Sequence, residues 1–182
     1  MLAGLVWTFY NIGFIVVLAF GPEFLIASGH TPAAASAIVS TVSWVIIPAL
    51  PLGAWLAERT GRADATMLIC LWALAIVAWL VASFGPAILP FVVMGLLFAP
   101  PGGLIMALPA EAVGPERRAI AMGIHFTCYY AGMGVLPALA GYARDMTGNA
   151  AAPFWFAGAM LIIASLMLLQ FRSAQARSPR AA

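Results

Sequence analysis

Charge is the scarcest property of this sequence. Only 8% of its 182 residues are Asp, Glu, Lys or Arg, and 64% are hydrophobic, whereas a typical soluble domain has about 25% charged residues. Every basic residue is an arginine, so the chain has no P-loop lysine and no Schiff-base lysine. These absences exclude an ordinary soluble domain and predict no nucleic-acid partner.

Cysteine occurs only twice. Cys70 and Cys128 both lie inside apolar runs, where a thiol packs as a small hydrophobic group. We interpret both as free and structural, not as a disulfide or a metal pair. The sequence also lacks G-x-S-x-G, H-E-x-x-H and paired intramembrane aspartates, which are patterns of hydrolytic sites. It therefore predicts no catalytic residue, no metal and no cofactor, and an intramembrane enzyme is the least favoured function.

The chain has long uncharged runs instead. About 20 apolar residues suffice to cross a bilayer as a helix, and runs of this length without alternation exclude a barrel. Residues 1–172 are predicted to form a six-helix bundle, and residues 173–182 a disordered cytoplasmic tail. The fold class is thus an all-α membrane protein. The six predicted spans are at about 2–28, 33–57, 65–84, 86–110, 119–143 and 153–171.

Arginine placement predicts the orientation. Seven of the eight arginines follow the second, fourth or sixth run, and the eighth, Arg144, lies beside Asp145 after the fifth. Because short loops rich in arginine stay in the cytoplasm, we expect both termini on the cytoplasmic side of a cell membrane. An even number of spans also requires both termini on one side.

Two segments of the chain resemble each other. Residues 50–61 close the second run and residues 136–148 close the fifth, and both contain Leu-Pro, then Gly, an aromatic residue, an acid and Thr-Gly. The offset of 136 minus 50, or 86 residues, corresponds to three spans. Because three is odd, the copies lie on opposite sides of the membrane, as in the inverted repeats of secondary transporters. Chance recurrence in an apolar chain is the alternative.

Polar side chains are unevenly distributed among the runs. The third and sixth have few, so we expect both to face lipid on all sides. The fourth contains Pro100-Pro101-Gly102-Gly103, which predicts a broken helix beside protein or a watery cavity. We expect the first, second, fourth and fifth helices to line a path for a solute, although polar side chains also join helices to each other. The candidates for the substrate path are Thr8, Tyr10, Asn11, His125 and Tyr129.

Charged residues near the ends of the runs are candidates for proton coupling or conformational coupling. Glu23 follows Gly21-Pro22 at the outer end of the first run, and Asp145 follows the fifth. At the end of the second run, an acid can accept hydrogen bonds from a helix N-terminus, and arginines can bind lipid phosphates. The alternative is that Glu23 only makes hydrogen bonds at the membrane interface, and that the residues at the end of the second run only anchor the topology. The group at that end is Glu58, Arg59 and Arg62.

Residues 51–62, Pro-Leu-Gly-Ala-Trp-Leu-Ala-Glu-Arg-Thr-Gly-Arg, resemble the loop motif G-x-x-x-D-R-x-G-R-R of the major facilitator superfamily. Arg59, Gly61 and Arg62 match the motif, while Ala54 stands in place of its Gly and Glu58 in place of its Asp. The stretches after the fourth and fifth runs are also similar to that family, so the likeness covers nearly the whole chain. It implies the C-terminal six-helix half of a twelve-helix transporter, with a three-plus-three inverted repeat.

This resemblance implies secondary active transport of a small solute across the lipid bilayer by alternating access. More loosely, the sequence is similar to the cyanate-permease-like branch, which implies a small organic or inorganic anion. A single half lacks the opposing wall of a central cavity, so the expected partner is a missing N-terminal six-helix half or a second copy. A stand-alone half that dimerises and a non-transporting remnant are the alternatives.

Overall fold

Long helices make up nearly all of the computed structural model, which describes residues 1–177. All six are long and apolar enough to cross a membrane, and a short 3₁₀ turn at Pro115–Arg117 precedes the fifth. The predicted all-α membrane fold with six spans is therefore confirmed. The helices are α1 (Leu2–Ala27), α2 (Pro32–Thr60), α3 (Ala63–Phe84), α4 (Ile88–Glu111), α5 (Arg118–Thr147) and α6 (Ala152–Arg177).

Turn chemistry sets the ends of α2 and α5. The Thr31 side chain accepts a hydrogen bond from the Ala34 amide at 3.3 Å, and Pro32 occupies the first turn of α2, where its missing N–H costs nothing. Gly61 and Gly148 end α2 and α5 with φ of 63° and 62°. This left-handed conformation favours glycine, so both Thr-Gly pairs of the repeat are helix stops.

The last helix extends further than the sequence predicts. A disordered tail is expected from residue 173, but α6 continues to Arg177. Ala174, Gln175 and Ala176 favour helix, and Arg172 Nη1 donates to Gln175 Oε1 at 2.7 Å one turn later. The remainder of the predicted tail, residues 178–182, lies outside the residues that the structure describes.

α4 is one continuous helix, so the predicted break at residues 100–103 is wrong. Pro100 and Pro101 still remove two ladder hydrogen bonds, but neighbouring helices hold this segment in place. A Cβ on Gly53 of α2 would lie 2.5 Å from the Pro100 Cα, so the two backbones are in direct contact. From α1, Tyr10 Oη donates to the Phe98 carbonyl at 2.5 Å. Packing against α1 and α2 therefore keeps this segment helical although its sequence, Pro-Pro-Gly-Gly, disfavours a helix.

The packing of the helices repeats between the two halves of the chain. α1 packs on α5 and α6, just as α4 packs on α2 and α3, and α3 packs on α6. Exchanging α1 with α4, α2 with α5 and α3 with α6 therefore returns the same set of packed pairs. This is the expected three-plus-three arrangement.

α6 does not face lipid on all sides, contrary to expectation. Half of its membrane window, 50%, is buried in the bundle, against 6% for α5. Ala157, Gly158 and Ala164 lie on its buried face, where small residues let α1 and α3 approach closely. α3 also has a buried face of eight residues. The prediction failed because apolar side chains suit a packed interface as well as they suit lipid.

Arg172 joins three helices at one end of the bundle. Its Nε and Nη2 donate to Asp64 Oδ1 of α3 at 2.8 and 2.6 Å, and its Nη1 donates to Glu111 Oε2 of α4 at 2.6 Å. We call this the Arg172 end; α1, α3 and α5 begin there and α2, α4 and α6 end there. The opposite end, the Arg144 end, holds the ion pair between Arg144 of α5 and Glu23 of α1.

We expect Gly53→Ala to lower the free energy of unfolding by about 1–3 kcal/mol, because the added methyl group meets the Pro100 backbone and α4 must shift. The midpoint of thermal unfolding in detergent micelles measures this. Gly134→Ala is the matched control, since nothing lies within 4 Å of a Cβ at Gly134. Equal melting of the two variants would contradict the close contact between α2 and α4.

Removing the charge of Arg172 leaves two carboxylates without their shared cation. We expect Arg172→Gln to lower the free energy of unfolding by about 1 kcal/mol at low salt, with a smaller loss at high salt. The comparison is Arg177→Gln, an exposed position on the same helix. Thermal unfolding at two salt concentrations measures the effect. An equal decrease in the free energy of unfolding in both variants would contradict a stabilising role of the contacts that Arg172 makes with α3 and α4.

Candidate functional site

An open-sided cavity of ≈ 340 Å³ lies between α1, α2 and α4, within the usual size range of a small-molecule site. Among residues 1–177, no charged side chain lines it. α1 supplies aromatic rings and an amide, α2 supplies aliphatic side chains, and α4 supplies two glycines and a methionine. The lining residues are Trp7, Tyr10, Asn11, Phe14, Ile46, Leu50, Gly102, Gly103 and Met106.

Two residues predicted for the substrate path, Tyr10 and Asn11, lie in this cavity. Tyr10 uses its hydroxyl proton on the Phe98 carbonyl, so its oxygen can still accept a hydrogen bond. A Cβ on Gly102 would lie 3.2 Å from that hydroxyl, so the glycine makes room for the bond. Asn11 Nδ2 donates to the Trp7 carbonyl at 2.8 Å, which leaves one N–H and Oδ1 for a solute.

Thr8 lies outside the cavity, in the seam between α1 and α5. It is 2% exposed, its hydroxyl donates to the Gly4 carbonyl at 2.7 Å, and its methyl group packs directly on Gly132. Its single hydroxyl proton is therefore used within its own helix. In this arrangement Thr8 serves helix packing.

The other two predicted path residues, His125 and Tyr129, lie behind Trp7. The Trp7 ring is 6.0 Å from the His125 ring and 6.2 Å from the Tyr129 ring, centroid to centroid, while Trp7 also lines the cavity. His125 is 1% exposed. Within the part of the chain that the structure describes, His125 Nδ1, His125 Nε2 and Trp7 Nε1 are buried without a hydrogen-bond partner.

Sequence reasoning missed the apolar part of this site. The predicted path did not include Trp7, Phe14 and Met106, because only polar side chains within the apolar runs were considered as candidates. A usable signal was present: Trp7, Tyr10, Asn11 and Phe14 are spaced three, four and seven residues apart, so they share one face of α1. Which partner helix covers that face depends on tertiary packing.

The charged candidates lie at the two ends of the bundle. Glu23 is paired with Arg144, and Asp145 Oδ1 is 3.8 Å from Arg144 Nη1 with a mostly exposed side chain. At the Arg172 end, Glu58, Arg59 and Arg62 are exposed, and the Arg59 guanidinium lies over the Trp55 ring at 5.2 Å.

The ion pairs at the Arg172 end involve other residues. Within residues 1–177, neither Glu58 nor the two arginines beside it belongs to a salt bridge, and Arg172 bridges Asp64 and Glu111 instead. No sequence signal pointed to this cluster, because its members are 108 and 61 residues apart.

Comparison with known proteins gives one result at the level of a family. A search of curated proteins finds no match. The sequence model of the Major Facilitator Superfamily matches residues 2–182 and identifies no branch within that superfamily. Because this match begins in the first turn of α1 and covers all six helices, the chain belongs to the major facilitator superfamily, a family of membrane transporters.

Proposed function

We propose that this chain is one half of a secondary active transporter, which moves a small solute by alternating access through the cavity between α1, α2 and α4. The open side of that cavity is the observation that carries the proposal: a wall with aromatic rings and an amide faces outward from the bundle. Membership in a transporter family supports solute transport and gives no support to an enzyme. Alternating access needs a second wall that moves against the first.

The opposing wall belongs on the exposed faces of α2 and α5. Only 22% of the α2 window and 6% of the α5 window are buried. The exposed face of α2 carries Ser36, Ser40 and Ser43, and small hydroxyl side chains favour helix packing over lipid. Exposed side chains near the middle of α3 include Ile69 and Ile76, which are typical of a lipid face. The partner is either a missing N-terminal six-helix half or a second copy.

The Arg172 end belongs in the cytoplasm. Six arginines of the described residues lie at that end and one at the other; the six are Arg59, Arg62, Arg117, Arg118, Arg172 and Arg177. The positive-inside rule then places both termini on the cytoplasmic side of a cell membrane. Under this orientation Glu23, Arg144 and Asp145 are external, and Glu58, Arg59 and Arg62 are free to form state-dependent pairs at the cytoplasmic face.

The solute class that fits best is a small organic anion. The likeness to cyanate-permease-like proteins favours an anion, but an inorganic anion needs strong cationic or multiple N–H contacts, and no arginine lines this wall in residues 1–177. The rings of Trp7, Tyr10 and Phe14 suit a carbon skeleton. Asn11, which has one N–H left after its bond to the Trp7 carbonyl, then donates to the carboxylate of the solute.

Asn11 provides the test of this site. We expect Asn11→Leu to raise the KM for uptake about tenfold, because a charge-assisted hydrogen bond to the solute is lost. Uptake of labelled small carboxylates, from formate to benzoate, is measured in proteoliposomes that contain the chain with its six-helix partner. Ser83→Ala, at an exposed hydroxyl on α3, is the control. Unchanged KM in the Asn11 variant would remove Asn11 from the solute path.

We call the exposed face of α2 the docking face, and cysteine cross-linking tests whether the partner contacts it. In a background with Cys70 and Cys128 replaced by Ala, we expect Ser40→Cys on α2 to cross-link to the partner half or to a second copy in membranes. Ile76→Cys on the exposed face of α3 is expected to stay uncross-linked, because lipid covers it. A monomer in both variants would favour the stand-alone remnant, and equal cross-linking at both sites would contradict the proposed docking face.

A further inference from the structure

His125 is an ionisable side chain buried inside the bundle, without a hydrogen-bond partner in the part of the chain that the structure describes. It is 1% exposed, and within residues 1–177 neither of its ring nitrogens meets a donor or an acceptor. Buried polar groups are hydrogen-bonded in nearly every native structure, and ionisable residues inside a membrane are functional in most cases. A buried imidazole without a partner is therefore a candidate for a functional group.

Trp7 separates His125 from the solute cavity. The indole lines the cavity and also lies beside the imidazole, at a centroid distance of 6.0 Å with the ring planes tilted by 32°. Among residues 1–177, Trp7 Nε1 is buried and also lacks an acceptor. Two neighbouring side chains thus have buried nitrogens without partners.

The backbone of α5 at His125 packs directly on α1. A Cβ on Gly4 would lie 3.1 Å from the His125 Cα and 3.0 Å from the Cys128 Cβ, so α1 and α5 are in direct contact there. The Trp7 ring lies beside the imidazole and lines the solute cavity, whereas His125 does not line that cavity.

Few titratable groups lie near the imidazole. On α1 these are the Met1 amino group and Tyr10, whose ring contacts Trp7; on α5 they are Cys128 and Tyr129. The charged residues of α4 and α6 lie at the Arg172 end, where Arg172 is paired with Asp64 and Glu111. Glu116, Arg117 and Arg118, which precede or begin α5, are exposed. No carboxylate of the described residues contacts His125, so its charged form has no counter-ion here.

We infer that His125 is a proton-binding site that the Trp7 ring closes off from the solute cavity. With the ring in place, the imidazole is neutral, because an unpaired charge in apolar surroundings is strongly disfavoured. When the ring turns, water from the cavity delivers a proton to the free ring nitrogen, and a carboxylate solute can pair with the imidazolium. Proton and solute then favour the same arrangement, so each strengthens binding of the other. This coupling rests on the proposed transport function.

The chain has two histidines, so His30→Gln gives a protein with His125 as its single histidine. We expect diethyl pyrocarbonate to modify His125 at least tenfold more slowly than free histidine in this protein. Adding Trp7→Ala should raise the rate at least tenfold, whereas Trp7→Phe, which keeps a ring, should not. Trp44→Ala, at an exposed tryptophan of α2, is the matched control. Rapid modification with Trp7 intact, or no acceleration in Trp7→Ala, would overturn the inference.

A second measurement uses the same single-histidine protein without further change. With ¹⁵N-labelled imidazole, the spectrum at pH 5.5 should report a neutral ring, although a hydrated histidine is mostly protonated at that pH. Addition of benzoate should convert part of the signal to imidazolium. A protonated ring without any carboxylate overturns the closed site, and a neutral ring that ignores carboxylates overturns the coupling. Both readouts are independent of uptake, so failure of transport in the parent protein would contradict the proposed function alone.

Discussion

Close contact between helix backbones is the constraint on which the rest of this structure depends. Lipid tails are as apolar as the side chains of the bundle, so association of the helices requires tight packing. Glycines provide it: Gly53 and Gly95 bring α2 onto α4, and Gly13 brings α1 onto α6. The continuity of α4 through Pro100 and Pro101 and the position of the cavity beside Gly102 are both consistent with these contacts.

Most hydroxyl groups in the bundle satisfy themselves within their own helix. Thr8, Ser40 and Thr127 each donate to the carbonyl four residues earlier, which is the common pattern for such residues in membrane helices. Tyr10 is different, since it donates across the bundle from α1 to α4. A polar residue in an apolar run therefore predicts a solute path poorly, and a side chain whose polar atoms remain unmatched is the better indicator.

The features that depend on composition and on local sequence could be predicted. The features that depend on which helix packs against which could not. The six spans, their turn residues and the three-plus-three order follow from run length, Thr-Gly stops and an offset of 86 residues between Leu50 and Leu136. The burial of α6 did not follow, because its apolar face suits lipid and protein equally. Tyr10 and Asn11 were found as polar members of the α1 face, but Trp7 was not, because its role depends on lying between a cavity and His125.

The order of the packed helices has a consequence for biosynthesis. Of the six helices described here, α1 is made before the others, yet it packs extensively on α6, which is made after the other five. Asp64 and Glu111 likewise have no shared cation until Arg172 of α6 has been made. The first helix must therefore remain in lipid or beside the insertion machinery until the last one arrives. A nascent chain that stops before α6 lacks the helix on which α1 and α3 pack, so its bundle is incomplete.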